Sequence, residues 1–300
     1  MKRAAIGVLM LGVATYLTAQ QQTPAANSTP AQQSQAGAAP AGTAQGKRPP
    51  QAKTQAEFDA YNTATANVND PAALEKSADD FAAKFTDSEL RVLLYRAAMH
   101  GYQSANNSDK LMAMGRKILA IDPDDPEALI GVAEVLAERT RDTDVDKEQR
   151  WDESTKLAQH AIQTIDTDLA IPANTPQERV DAYKGYLRSS AYSIMGTVAF
   201  NRDKYPDAEA QFHKSIDALP SQPDPVVVLR LALTLDKENR YPDALKEAYH
   251  AVELTKEGTT EGTLARRERD RLIQLTGGIP EGPASTPPAA ANPNPAPPKN

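Results

Sequence analysis

Apolar and polar positions alternate along the chain with a helical period, and one stretch of that pattern occurs twice. Tyr-Pro-Asp-Ala, preceded by a basic residue, occupies Lys204–Ala208 and again Arg240–Ala244, 36 residues on. Upstream of the two copies, Tyr192, Met195, Gly196 and Ala199 match Val228, Leu231, Ala232 and Leu235. Downstream, Ala208, Phe212, Ser215 and Ile216 match Ala244, Ala248, Ala251 and Val252. Spacings of three and four put each set on one side of a helix, so each copy predicts two amphipathic helices joined by a short turn, around Asp203 and Asn239. The same alternation extends toward the N-terminus. Tyr95, Ala98, Met99 and Tyr102 lead to Leu111, Gly115 and Ile118, and Leu129, Val132, Ala133 and Leu136 come next. Phe58 and Tyr61, then Leu74, Ala78 and Phe81, form the first pair. Between these runs, Ala120–Ala128 (AIDPDDPEA) closes one helix and opens another, because residues before proline avoid the helical region and Asp caps the new helix.

Together these units resemble the tetratricopeptide repeat (TPR), a helix–turn–helix of 34 residues. The fullest match is 189–222, with Gly196 where paired helices touch, Tyr205 at the turn, Ala208 and Phe212 in the second helix and Pro220 at its end. The 92–125 unit keeps Pro123. The 225–258 unit keeps Tyr241 and Ala244 but carries Lys256 at the terminal proline position, and the 55–88 unit has Thr86 there. The resemblance implies an all-α, right-handed α-solenoid of about five helix pairs within 55–278. Its units lie near 55–88, 92–125, 126–166, 176–222 and 225–258, with a C-terminal capping helix at 262–276. That last helix is charged on most sides and stops at Gly277–Gly278, as the exposed end of a stack requires. The third unit departs from the pattern. Its first helix ends near Thr140 and its second is expected from Trp151. A second insertion precedes 189, within which Thr175, Pro176, Gln177 and Glu178 read as a capping box starting a long helix over about 176–201.

Composition adds limits. The 300 residues contain no cysteine, which removes disulfides, thiolate zinc sites and cysteine nucleophiles. Thirteen of the 23 prolines fall in 20–55 and 279–300. These Ala/Gln/Pro-rich ends, 20–54 and 279–300, are expected to be disordered. Residues 1–19 read as a signal peptide, with basic Lys2 and Arg3, the apolar run AAIGVLMLGVATYL and a small residue at Ala19. The alternative is a retained anchor, for which the apolar run is short of the roughly 20 residues that span a bilayer. Export to the periplasm or the exterior follows from the leader reading, without stable membrane insertion once it is cleaved. No acidic residue occurs in 1–55, whereas 56–278 holds 27 basic against 39 acidic residues, a balance of −12. That sign excludes nucleic acid as a partner.

Motifs for chemistry are sparse. His100, His160, His213 and His250 are isolated, and HExxH, a Gly-rich phosphate loop and the Gly-x-Ser-x-Gly elbow are all absent. The expectation is a non-enzymatic chain without a cofactor. Asp142, Asp144, Asp146 and Glu153 have the first, third, fifth and twelfth spacing of a calcium loop. Against it, Lys147 stands where such a loop needs Gly, and Gln149 where it needs an apolar residue; a solvated acidic loop is the alternative. In a solenoid of this kind the concave side is lined by the first helix of each pair. There the residues outside the apolar stripe are Arg96, His100 and Gln103, then Ile130 and Glu134, then Ser193, Thr197 and Asn201, then Leu229 and Leu233. The Lys/Asn/Arg set with which TPR domains hold a peptide carboxylate is not present at these places. The sequence therefore points to a protein-binding scaffold whose groove takes a peptide or helix of a protein partner. A structural part of an envelope assembly or secretion complex, and a calcium-modulated protein or hydrolase, are the alternatives.

Overall fold

The computed structural model describes residues 46–172 and 174–277. The leader 1–19, most of the 20–54 segment and the 279–300 tail lie outside the described residues. Those described form eleven α-helices and no strand: α1 Gln55–Thr65, α2 Pro71–Lys84, α3 Leu90–Ser104, α4 Ser108–Leu119, α5 Pro126–Arg139, α6 Lys147–Thr164, α7 Gln177–Asn201, α8 Tyr205–Ala218, α9 Pro225–Lys237, α10 Tyr241–Glu253 and α11 Thr260–Thr276.

Helix starts follow from local chemistry. Asp70, Asp125 and Asp224 each accept a backbone N–H of the first turn, and each is followed by proline, whose missing N–H costs nothing there. Thr54, Asn107 and Thr259 cap α1, α4 and α11 in the same way. The turns inside three hairpins are identical in construction. Asn106, Asp203 and Asn239 take φ of 54°, 57° and 61°, the left-handed region that Asn and Asp tolerate. After each, an N–H reaches back five residues: Asn107 to the Tyr102 carbonyl, Lys204 to Ala199 and Arg240 to Leu235 (2.9, 2.9 and 3.0 Å). Tyr205 and Tyr241 then donate to the side chains of Asp203 and Asn239 at 2.5 and 2.8 Å.

Each helix packs on the next, which makes five hairpins and a closing helix. First helices also touch across hairpins (α1 with α3, α5 with α7, α7 with α9), whereas second helices of neighbouring hairpins meet at most marginally. The first helices therefore lie on the inner side of the array. The core is a series of clusters along the array, which include Leu74, Leu94 and Met114, then Trp151, Ile165 and Ile194, then Phe212, Leu231 and Leu245. At Gly196 the closeness of α7 and α8 is absolute: a Cβ there would stand 2.6 Å from the ring of the fully buried Phe212.

Three local expectations need correction. α6 begins at Lys147, a turn before Trp151, because the charged Lys147–Arg150 stretch is helical although it carries no apolar marker. The capping box before α7 is not formed: Pro176 itself sits at the N-cap, and the Thr175 hydroxyl turns back to the Pro172 carbonyl at 2.7 Å. Finally, residues 46–54 are not a free linker. They lie against the array, with Ala52 packed on the first core cluster.

Candidate protein-binding face

The inner side at α3, α5 and α7 is built around Arg96. Its guanidinium meets the Asp125 carboxylate directly and lies 3.5 Å from Glu127 through Nε, which has no hydrogen-bond partner. His100, one turn along α3, places Nε2 3.0 Å from the other Glu127 oxygen. Tyr183, at the start of the long α7, donates its hydroxyl to Glu127. The ring of Tyr183 stacks on that of Tyr186, with centroids 6.5 Å apart and 12° between planes. Asp125 serves two purposes, since its second oxygen accepts the Ala128 N–H at 2.9 Å and caps α5.

Two carboxylates thus share one guanidinium in a dry place; the Arg96 side chain is 15% accessible, Glu127 10% and Asp125 1%. Burial pushes Glu127 up, but the charge of Arg96 and the hydrogen bonds from His100 and Tyr183 outweigh it and hold its pKa down at about 2. Asp125 moves the other way, raised by burial and by the Glu127 charge beside it. The Tyr183 phenol is driven up by burial and by Glu127.

Further along, Arg230 of α9 donates to the Thr197 hydroxyl of α7 at 2.7 Å and lies 3.5 Å from Glu138 of α5, so one side chain ties three first helices. Ser193 and Thr197 are buried, Glu134 and Asn201 are half-buried and Gln103 is exposed. Ile130 is buried in the α5–α7 packing. Leu229 is buried with Ala251 and Ala265, and Leu233 packs on the same cluster, so the two leucines serve the closing helix. The structure thus joins Arg96 with His100, and Ser193 with Thr197, and sends Leu229 and Leu233 elsewhere. Asp125, Glu127, Tyr183, Glu138 and Arg230 complete the face. Only Asp125 carried a signal in the sequence, as an Asp-Pro helix start.

Three of the four residues with the calcium-loop spacing face basic partners or backbone donors. Asp142 faces Lys147 at 3.5 Å, and Asp144 accepts the Arg141 N–H at 2.8 Å and lies 3.9 Å from Arg150. With α6 starting at Lys147, Glu153 is carried along the helix to Arg116 of α4, 2.6 Å away. Among the described residues no three His, Asp or Glu side chains gather as metal ligands would. His160, His213 and His250 lie beside Asp124, Glu209 and Glu247 at 2.8, 3.7 and 3.6 Å. Among the described residues no helix is long and apolar enough to cross a membrane.

Repetition of the same left-handed turn, the same tyrosine contact and the same order of packing decides the architecture. The fold is TPR-like. No family model and no curated protein matches the chain. Several solved structures are similar at low identity, among them the following three. A thermophilic TPR protein of Thermus thermophilus is 13% identical with a TM-score of 0.44, over 73% of this chain and 100% of that one. PilF of Pseudomonas aeruginosa is 17% identical with a TM-score of 0.46, over 75% and 93%. PilW, a widely conserved type IV pilus biogenesis factor, is 18% identical with a TM-score of 0.44, over 76% and 96%.

Proposed function

We propose that the chain is a non-enzymatic scaffold, exported to the periplasm or beyond the cell, that holds a segment of a protein partner along its inner face. The observation that carries this reading is the convergence of α3, α5 and α7 on one face through Arg96, His100, Glu127 and Tyr183. Around that buried centre, Gln103 is exposed, and His100 and Tyr186 keep accessible edges. Two carboxylates to one guanidinium at the centre suit a guest segment carrying Lys or Arg and an apolar side chain for the tyrosine pair. The leader reading of 1–19 supports export.

The test is site-specific photo-cross-linking in the cells the protein comes from. A cross-linking residue at Gln103 is expected to capture a discrete protein partner, and one at Lys246, exposed on the second helix of the last hairpin, is expected not to. The same products from both positions, or none from Gln103, would remove the inner face as the binding site. Finding residues 1–19 still attached to a chain retained in the cytoplasm would remove export.

A further inference from the structure

Residues 46–53 do not trail away from α1 but run back along one edge of the array, the edge made by the turns that join each hairpin to the next. Gly46 lies on the turn after α6, so close that a Cβ would stand 2.5 Å from the Leu169 carbonyl oxygen. Lys47 Nζ donates to both carboxylate oxygens of Asp122, in the α4–α5 turn, at 2.7 Å each. Arg48 Nη2 donates to Glu89 in the α2–α3 turn at 2.6 Å, and Lys53 Nζ to the Asp87 carbonyl of that turn at 2.7 Å. Three consecutive turns are visited in reverse chain order. At the centre stand Pro49 and Pro50, which fix an extended backbone and have no N–H to offer a neighbouring strand.

Complementarity here is chemical as well as geometric. The N-terminal 55 residues contain no Asp or Glu, and the segment brings three cations to turns that present carboxylates and carbonyls. The contacts remain in solvent: the Lys47 and Arg48 side chains are 42% and 63% accessible. We infer that the inter-hairpin edge of α1–α6 is a docking surface for an extended, basic, proline-centred segment, and that residues 46–53 are its occupant in cis. Charge holds this clasp rather than buried apolar area, so it closes at low salt and opens at high salt. Closed, it fastens the first three hairpins to one another and brings residue 46 to the α6–α7 turn.

Limited trypsin digestion of the full chain tests this, because Lys47–Arg48 and Lys53–Thr54 are cleavage sites whose lysines are held when the clasp is closed. Asp122→Asn/Glu89→Gln leaves both sites intact and removes the carboxylates that hold Lys47 and Arg48, leaving only the Lys53 contact to the Asp87 carbonyl. Cutting at these bonds is expected to accelerate up to about tenfold, since cleavage follows the open population and each exposed pair contributes little. The rate for the unaltered chain should climb toward that of the variant at about 0.5 M NaCl. Asp80→Asn, which breaks an exposed pair with Lys76 away from this edge, should change nothing. Equal low-salt rates for the unaltered chain and the double variant would overturn the inference. So would protection that disappears on dilution, because the occupant would then be a second copy. Should the double variant unfold and be cut throughout its helices, the salt series on the unaltered chain decides, and a flat series refutes the clasp.

Discussion

Replacing Arg96 with methionine keeps most of the side chain's length and removes only its charge and donors. What is left behind is two carboxylates, Asp125 and Glu127, in a place nearly closed to water. Breaking a buried pair from one side costs about 3–5 kcal/mol, because the orphaned charge has no solvent to turn to. The cost also acquires a pH dependence of opposite sign to that of Glu127 in the unaltered chain. There the Glu127 pKa of about 2 lies below the ordinary 4.5, so its contribution is complete above pH 4.5 and fades as pH falls toward 2. That contribution amounts to about 3 kcal/mol, from which the raised Asp125 subtracts. Without Arg96, burial prevails at both carboxyls and their folded pKa values rise above the unfolded ones. The variant should therefore be penalised most at pH 7 and recover stability toward pH 5, where the unaltered chain gains nothing from Glu127. Urea unfolding at the two pH values reads both quantities. Arg96→Met/Glu127→Gln should cost less than the two single changes added together. A loss below about 1 kcal/mol for Arg96→Met, or the same pH slope as the unaltered chain, would refute the assignment of this cluster as a buried charge centre.

Two further expectations concern packing and turns. Gly196→Ala sets the Phe212 ring atoms 2.6 and 2.7 Å from the new Cβ; overpacking of about 1–3 kcal/mol should exceed the roughly 1 kcal/mol helix gain, and thermal unfolding will show a net loss. Asn239→Ala should cost about 1–2 kcal/mol at a φ of 61°, while Asn239→Gly should be better tolerated despite losing the Tyr241 contact, so reversed ranking in denaturant midpoints would exclude backbone strain as the reason for Asn there.

How much of this was legible depended on whether a signal was local. The Tyr-Pro-Asp-Ala duplication exposed the last two hairpins because apolar stripe, turn residue and helix start all lie within one 36-residue period. Gly196 was readable as a close approach for the same reason. The start of α6 was hidden because Lys147–Arg150 has no apolar residue, so helical periodicity registers nothing until Trp151. The contacts of 46–53 were hidden twice over: the segment's composition forbids a core of its own, and the turns it meets lie 34 to 123 residues away. Arg96 stood out as an inward cation, but the sequence could not say that its charge is already spent on Asp125 and Glu127. Leu229 and Leu233 misled by being apolar on a first helix, when α11 arrives to cover them.

The position of the charge cluster has a physical logic. Inside three of the hairpins, a turn of a few residues with a left-handed Asn or Asp sets how one helix lies on the next. Between α6 and α7 the connection is long, running from residue 165 to 176, and α7 continues for 25 residues against α5, α6 and α8. The stripe that α7 offers α5 and α6, Leu187, Ala191, Ile194 and Val198, is apolar and spaced like any helix stripe, so a slip of one turn keeps much of its burial. The polar contacts do not survive such a slip. Tyr183 reaches Glu127, and Arg230 reaches both Thr197 and Glu138, in a single register. A well-packed apolar junction could match or exceed the stability of buried charges but would not choose among registers. The cluster is therefore placed beside a connection too long to set the register by itself. By fixing α7 on α5, it also fixes the shape of the inner face on which the proposed guest would lie.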